Sequence, residues 1–100
     1  MTEYNKLVRD KIPEILSKKG IIYKKRIASA REYKIELVKK LDEEVKEFLE
    51  KKDLYELADI MEVIDALKKL PEYKKVEEIK KAKKKQRGGF NKRIILKGQK

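Results

Sequence analysis

Apolar residues recur at helical spacing through the middle of the chain and thin out toward its ends. Val38, Leu41, Val45 and Phe48 form one stripe, which predicts an amphipathic helix over residues 30–51 with Ser29 as its cap. Leu54, Leu57, Ala58, Met61, Ile64 and Leu67 or Leu70 form a second stripe, which predicts a helix over 54–70. Between them Lys51-Lys52-Asp53 reads as a tight bend, with Asp53 as N-cap of the second helix. Pro71 opens a third long helix of low hydrophobicity, running to about Gln86 and stopped by Arg87-Gly88-Gly89. Upstream, residues 10–17 read as a short helix with Asp10 as cap, Pro13 in its first turn and Ile12, Ile15 and Leu16 on one side; Gly20 ends it. Residues 21–27 and 90–96 have β-like composition, so a ribbon pairing 21–27 with 91–96 is expected beside the helices. The expectation is an all-α antiparallel helical bundle with a minor C-terminal β-ribbon, in one domain over 1–100.

Composition narrows the chemistry. The 100 residues contain no Cys and no His, which removes disulfides, thiolate nucleophiles, zinc sites of the usual type and imidazole acid–base catalysis. Carboxylates, Lys, Arg, Tyr, Ser, Thr or a bound metal remain. The amino-terminal segment does not read as a signal peptide, and no apolar run approaches a membrane span, so a cytoplasmic protein with no membrane partner is expected. The net charge of +11 is unevenly spread: residues 42–65 hold ten acids against three lysines, and the flanks are strongly basic. A nucleic-acid-binding face has no use for that acidic centre, so a nucleic-acid partner is disfavoured. A metal-chelated polyphosphate uses both halves, the metal on the acids and phosphate oxygens on Lys and Arg. The run Lys80–Lys85 is expected to be a solvated helix face.

The acids in that centre are ordered. Glu44 and Glu47 lie three residues apart, as do Glu56 and Asp59, and residues at that spacing share a helix face. Folding the chain about residues 51–53 brings Glu47 level with Glu56 and Glu44 level with Asp59. Four carboxylates from two helices then converge, an arrangement that is costly without a neutralising cation. Oxygen-only donors suit Mg²⁺, Mn²⁺ or Ca²⁺. Acidic pairs on surface helices are common, and Asp53-x-x-Glu56 also fits a capping box that would occupy Glu56. Against a solvated face stands Glu44, on one line with Leu37, Leu41 and Phe48 and therefore on the packed side. Lys6, Arg9 and Lys11 are candidate phosphate contacts, as are Lys92 and Arg93 beyond the glycines. Phe90 either stacks on a base or anchors the tail.

Glu43-Glu44-x-x-Glu47 followed by Glu56-x-x-Asp59 resembles the EExxE…ExxD signature of the all-α nucleoside triphosphate pyrophosphohydrolases, the MazG-like superfamily. The stretches YNKLVRDKIPEIL and RGGFNKRIIL are similar to its small phosphoribosyl-ATP pyrophosphohydrolase-like branch. The resemblance implies Mg²⁺-dependent cleavage of an NTP or dNTP to monophosphate and pyrophosphate, a house-cleaning role, and a homo-oligomer, dimer or larger. It implies Glu44, Glu47, Glu56 and Asp59 as metal ligands and Glu43, Glu44 and Glu47 as the catalytic acids, Glu43 orienting water or a second metal. Phosphoribosyl-ATP hydrolysis is the alternative within the superfamily, and a non-catalytic basic helical nucleic-acid-binding module the alternative outside it.

Overall fold

Four helices account for the regular structure in a computed structural model that describes residues 5–99: α1 (Ile12–Lys18), α2 (Ala30–Lys51), α3 (Leu54–Lys68) and α4 (Val76–Arg87), with a 3₁₀ turn at Pro71–Tyr73. Tyr4, which opens the amino-terminal motif, and the first three residues of the leading segment read for a targeting signal lie outside those residues.

The centre of the molecule is the hairpin of α2 and α3, the helix pair in closest contact. Ser29 caps α2, its Oγ accepting from the Glu32 N–H at 3.2 Å. Lys52, at φ 53°, closes α2 in the left-handed conformation, and its N–H reaches the Phe48 carbonyl at 2.6 Å. Asp53 starts α3 directly afterwards, Oδ1 accepting from the Glu56 N–H at 2.8 Å. With the two caps on consecutive residues there is no slack, so the two helices are held in register by their shared corner. Leu37 and Val63 are the buried apolar residues of the described chain, with Glu44 and Glu56 buried beside them.

Several expectations are corrected. Lys11 rather than Asp10 precedes α1, and no side chain caps it, although Pro13 does occupy its first turn and Gly20, at φ 73°, ends it. The helix expected from Pro71 is broken: Pro71–Tyr73 makes a 3₁₀ turn held to α2 by Lys34, which pairs with Glu72 at 3.0 Å and stands over the Tyr73 ring. α4 then restarts at Val76 and is tied to α3 by Lys68–Glu77 at 2.7 Å. No strand forms among the described residues, so the β-ribbon is absent. Residues 21–27 are instead fixed by side chains, with Ser17 Oγ and Tyr23 Oη sharing a hydrogen bond at 2.8 Å and Arg26 gripping Glu32 through two bonds of 2.5 and 2.6 Å. β-propensity without a partner strand to complete the ladder does not make a sheet. A closed bundle is absent too. With only Val76, Ile79 and Ala82 apolar in α4, that helix has little to bury and contacts its neighbours weakly.

The consequence is an open molecule. Its Cα radius of gyration is 18.0 Å, against about 13 Å for a compact chain of this length. It exposes 10149 Å², where a compact monomer of 11.9 kDa exposes about 6,000 Å². Leu54, Leu57, Met61 and Ile64, expected in the core, form an exposed stripe along α3; Val38 on α2 is exposed as well. α3 is therefore apolar on two sides, packing on α2 through Val63 and Ile60 and presenting the other stripe outward.

Candidate metal centre

Glu44 and Glu56 are drawn inward because each occupies the apolar contact line of its helix. Glu44 lies seven residues beyond Leu37 and Glu56 seven before Val63, so both sit on the packed side. They retain 7% and 8% of their exposure. Asp59, one turn beyond Glu56, lies half-buried at the same level. One carboxylate oxygen from each of Glu44, Glu56 and Asp59 falls within 4.8 Å of the others, a spacing a single cation could span.

Two oxygens at this point are unsatisfied. Glu44 Oε2 and Glu56 Oε2 are buried and have no hydrogen-bond partner among the described residues. Buried polar atoms are nearly always paired, and an orphaned carboxylate oxygen is a specific cost. The capping box does not absorb Glu56. Asp53 receives the Glu56 N–H, yet the Glu56 carboxylate turns to Lys51 Nζ at 3.4 Å. Burial pushes the Glu56 carboxyl above its ordinary value, and the neighbouring Glu47 carboxyl adds to the rise. Lys51 opposes that shift without cancelling it, and is itself raised by Glu56.

Glu47 is near enough to Glu56 to raise its carboxyl, yet it stands outside the three-acid group. Glu43, half-buried, takes Lys6 Nζ at 3.4 Å and Lys40 Nζ at 3.5 Å. Arg9 donates to Asp59 Oδ1 at 2.8 Å and approaches Glu62 at 4.0 Å, which lays the amino-terminal segment across the hairpin. Asn5, Lys6 and Leu7 form, with Glu36, Lys39, Lys40 and Glu43, a groove of about 210 Å³ beside α2.

Of the basic residues expected at the site, Lys6 and Arg9 are brought to it. Lys11 is exposed beside α1, and no ion pair links it to the acids among the described residues. Lys92 and Arg93 lie on the exposed tail, and no ion pair links them to the acids among the described residues. Lys40 and Lys51 were not expected. Lys40 sits between Glu43 and Glu44, 3.5 and 3.6 Å from them, and Lys51 holds the corner. The spacing of four between Lys40 and Glu44 was the available signal. No family model matches the chain, and neither a curated protein nor a solved structure matches it significantly. Among the described residues no helix is long and apolar enough to cross a membrane.

Proposed function

We propose that the chain is a Mg²⁺-dependent nucleotide pyrophosphohydrolase, converting an NTP or dNTP to its monophosphate and pyrophosphate. The observation that carries the reading is the pair of orphaned oxygens on Glu44 and Glu56, both inside a cluster whose third member is Asp59. A solvated acidic face leaves no carboxylate oxygen buried and unpaired. Oxygen donors alone, with no Cys or His in the chain, favour Mg²⁺, with Mn²⁺ next. The resemblance of Glu43-Glu44-x-x-Glu47 and Glu56-x-x-Asp59 to the MazG-like signature supports the same reaction.

In this reading Glu44, Glu56 and Asp59 hold the cation, with Glu47, one turn from Glu44, as a fourth carboxylate beside them. The bound cation would neutralise phosphate charge and lower the pKa of the attacking water. Glu43, half-exposed in the lining of the groove, would take a proton from water as it adds to the α-phosphorus and the α–β bridge breaks. Lys6, Arg9 and Lys40 offer donors for the phosphate oxygens that the break leaves charged. Arg9 would exchange Asp59 for phosphate when the cation arrives. Assembly into a dimer or larger belongs to the same reading, since the outer stripe of α3 needs cover.

The test is a panel of ribo- and deoxyribonucleoside triphosphates, with phosphoribosyl-ATP included, incubated with Mg²⁺ and analysed for products. Monophosphate plus pyrophosphate, lost on chelation, is expected. Diphosphate plus orthophosphate would rule the mechanism out. Inactivity across the panel, together with salt-sensitive binding of nucleic acid, would turn the reading to a basic binding module built on the exposed lysines of α4.

A further inference from the structure

Two surfaces of the chain are unfinished and complement each other. The first is the outer side of α3, where Leu54, Leu57, Met61 and Ile64 are exposed and the acids Glu62 and Asp65 follow Met61 and Ile64 directly. The second is the tail after α4, where Phe90 and Ile95 are 96% and 94% exposed and are interleaved with Lys92 and Arg93. One is apolar and negative, the other apolar and positive. Gly88, at φ 81° and ψ 179°, holds a conformation open essentially to glycine alone and turns the tail away from the α4 axis. The surface in excess of a compact monomer, about 4,000 Å² per chain, leaves room for an interface of obligate size, which removes about 2,000–5,000 Å² from a pair.

We propose that two copies associate with the tail of each lying along the outer side of the other's α3, so that the partner subunit's Lys92 and Arg93 complete the acidic site. Phe90, Ile94 and Ile95 cover the Leu57, Met61 and Ile64 stripe. Lys92 and Arg93 then meet Glu62 and Asp65 at the edge of the cluster, and carry positive charge to the polyphosphate that the cluster binds. Only this last role rests on the pyrophosphohydrolase reading. The dimer itself rests on the exposed surfaces and their opposite charge. Each site on its own chain has Lys6, Arg9 and Lys40, and the crossing tail adds cations on the Glu62 side, next to Arg9.

The chain has no cysteine, so introduced thiols report the crossing without interference. Light scattering at micromolar concentration should show a dimer. A Lys92→Cys/Glu62→Cys double variant, oxidised, should run at twice the chain mass without reductant, while either single variant runs at chain mass. An Arg93→Cys/Asp65→Cys variant guards against a register that misses the first pair. A link within one chain, no link in either double variant, equal linking by the single variants, or a strictly monomeric protein would overturn the proposal. Activity gives a second arm. Glu47→Gln and Lys92→Ala/Arg93→Ala should each be inactive alone, and a one-to-one mixture should recover roughly one quarter of the wild-type rate from mixed two-fold dimers. No recovery would place the tail on its own chain's site. Covalent dimers from a protein inactive on every nucleotide would leave the crossing intact and dismiss the hydrolase reading instead.

Discussion

Glu44 was legible from its neighbours: a carboxylate on the line of Leu37, Leu41 and Phe48 has to go inside, and it does. Folding about the bend was enough to bring Glu44 and Asp59 together, with Glu56 between the same two helices. What spacing did not show was how the lysines divide among the acids, because a flexible side chain chooses its partner by reach and not by its place in the sequence. Without metal the cluster is strained by its own charge. Glu44→Gln should leave the apo protein as stable as the wild type or more so, while Mg²⁺ raises the wild-type melting temperature and not the variant's. A scan with and without Mg²⁺ decides it; an equal Mg²⁺ response in both would make these acids a mere surface. Glu56 adds a pH signature. Its folded carboxyl is raised, so the folded state holds the proton more tightly than the unfolded chain does. Stability therefore rises as pH falls from the raised value toward the ordinary carboxylate range, and Glu56→Gln should lack that gain. Glu32, Glu72 and Glu77 act oppositely. Their carboxyls are lowered by hydrogen bonds to Arg26, Lys34 and Lys68, and they lose stability on further acidification. Difference melting curves for wild type and Glu56→Gln isolate the Glu56 contribution.

Elements with strong local signals came through with close boundaries, and those relying on distant partners did not. α2 begins after Ser29 and ends at Lys51, and α3 begins after Asp53, because caps act within one turn and are written in the sequence. The expected ribbon failed for the opposite reason. Residues 21–27 and 90–96 have the composition of strands, but pairing them demands that α4 carry its tail back across the molecule, and α4 has no apolar face strong enough to dock there. The corner of the hairpin is the element most open to test. Asp53→Ala removes the bond to the Glu56 N–H and should cost about 0.5–2 kcal/mol in denaturant unfolding. Lys52 stands at φ 53°, where a side chain costs about 1–2 kcal/mol; glycine removes that strain but adds about 0.4–1 kcal/mol of unfolded-chain entropy, so Lys52→Gly should be neutral to mildly stabilising. A loss from Lys52→Gly would mean that Lys52 contributes contacts its geometry does not show.

At the scale of the whole molecule, the apolar spacing of α3 was visible in the sequence, but which part of it meets α2 was not. Leu54, Leu57, Met61 and Ile64 and the deeper Ile60 and Val63 form two stripes on one helix, and a single chain can cover only one. The sequence pattern named the outer stripe as core, because periodicity reports that a face is apolar and not what it packs against. That ambiguity is itself testable at Met61, which is 60% exposed in the single chain. On a free surface, Met61→Lys would alter stability by about 0.5 kcal/mol at most and leave mass in solution unchanged. Beneath a second copy, the same change buries an unpaired cation in an apolar contact. The expected outcome is dissociation to a monomer by light scattering, a lower melting temperature, and loss of the wild type's dependence of that temperature on protein concentration. A Met61→Leu control keeps the apolar contact and should remain associated. If Met61→Lys stayed at the wild-type mass, the outer stripe of α3 would be solvent-facing in the native assembly, and the interface would have to lie elsewhere.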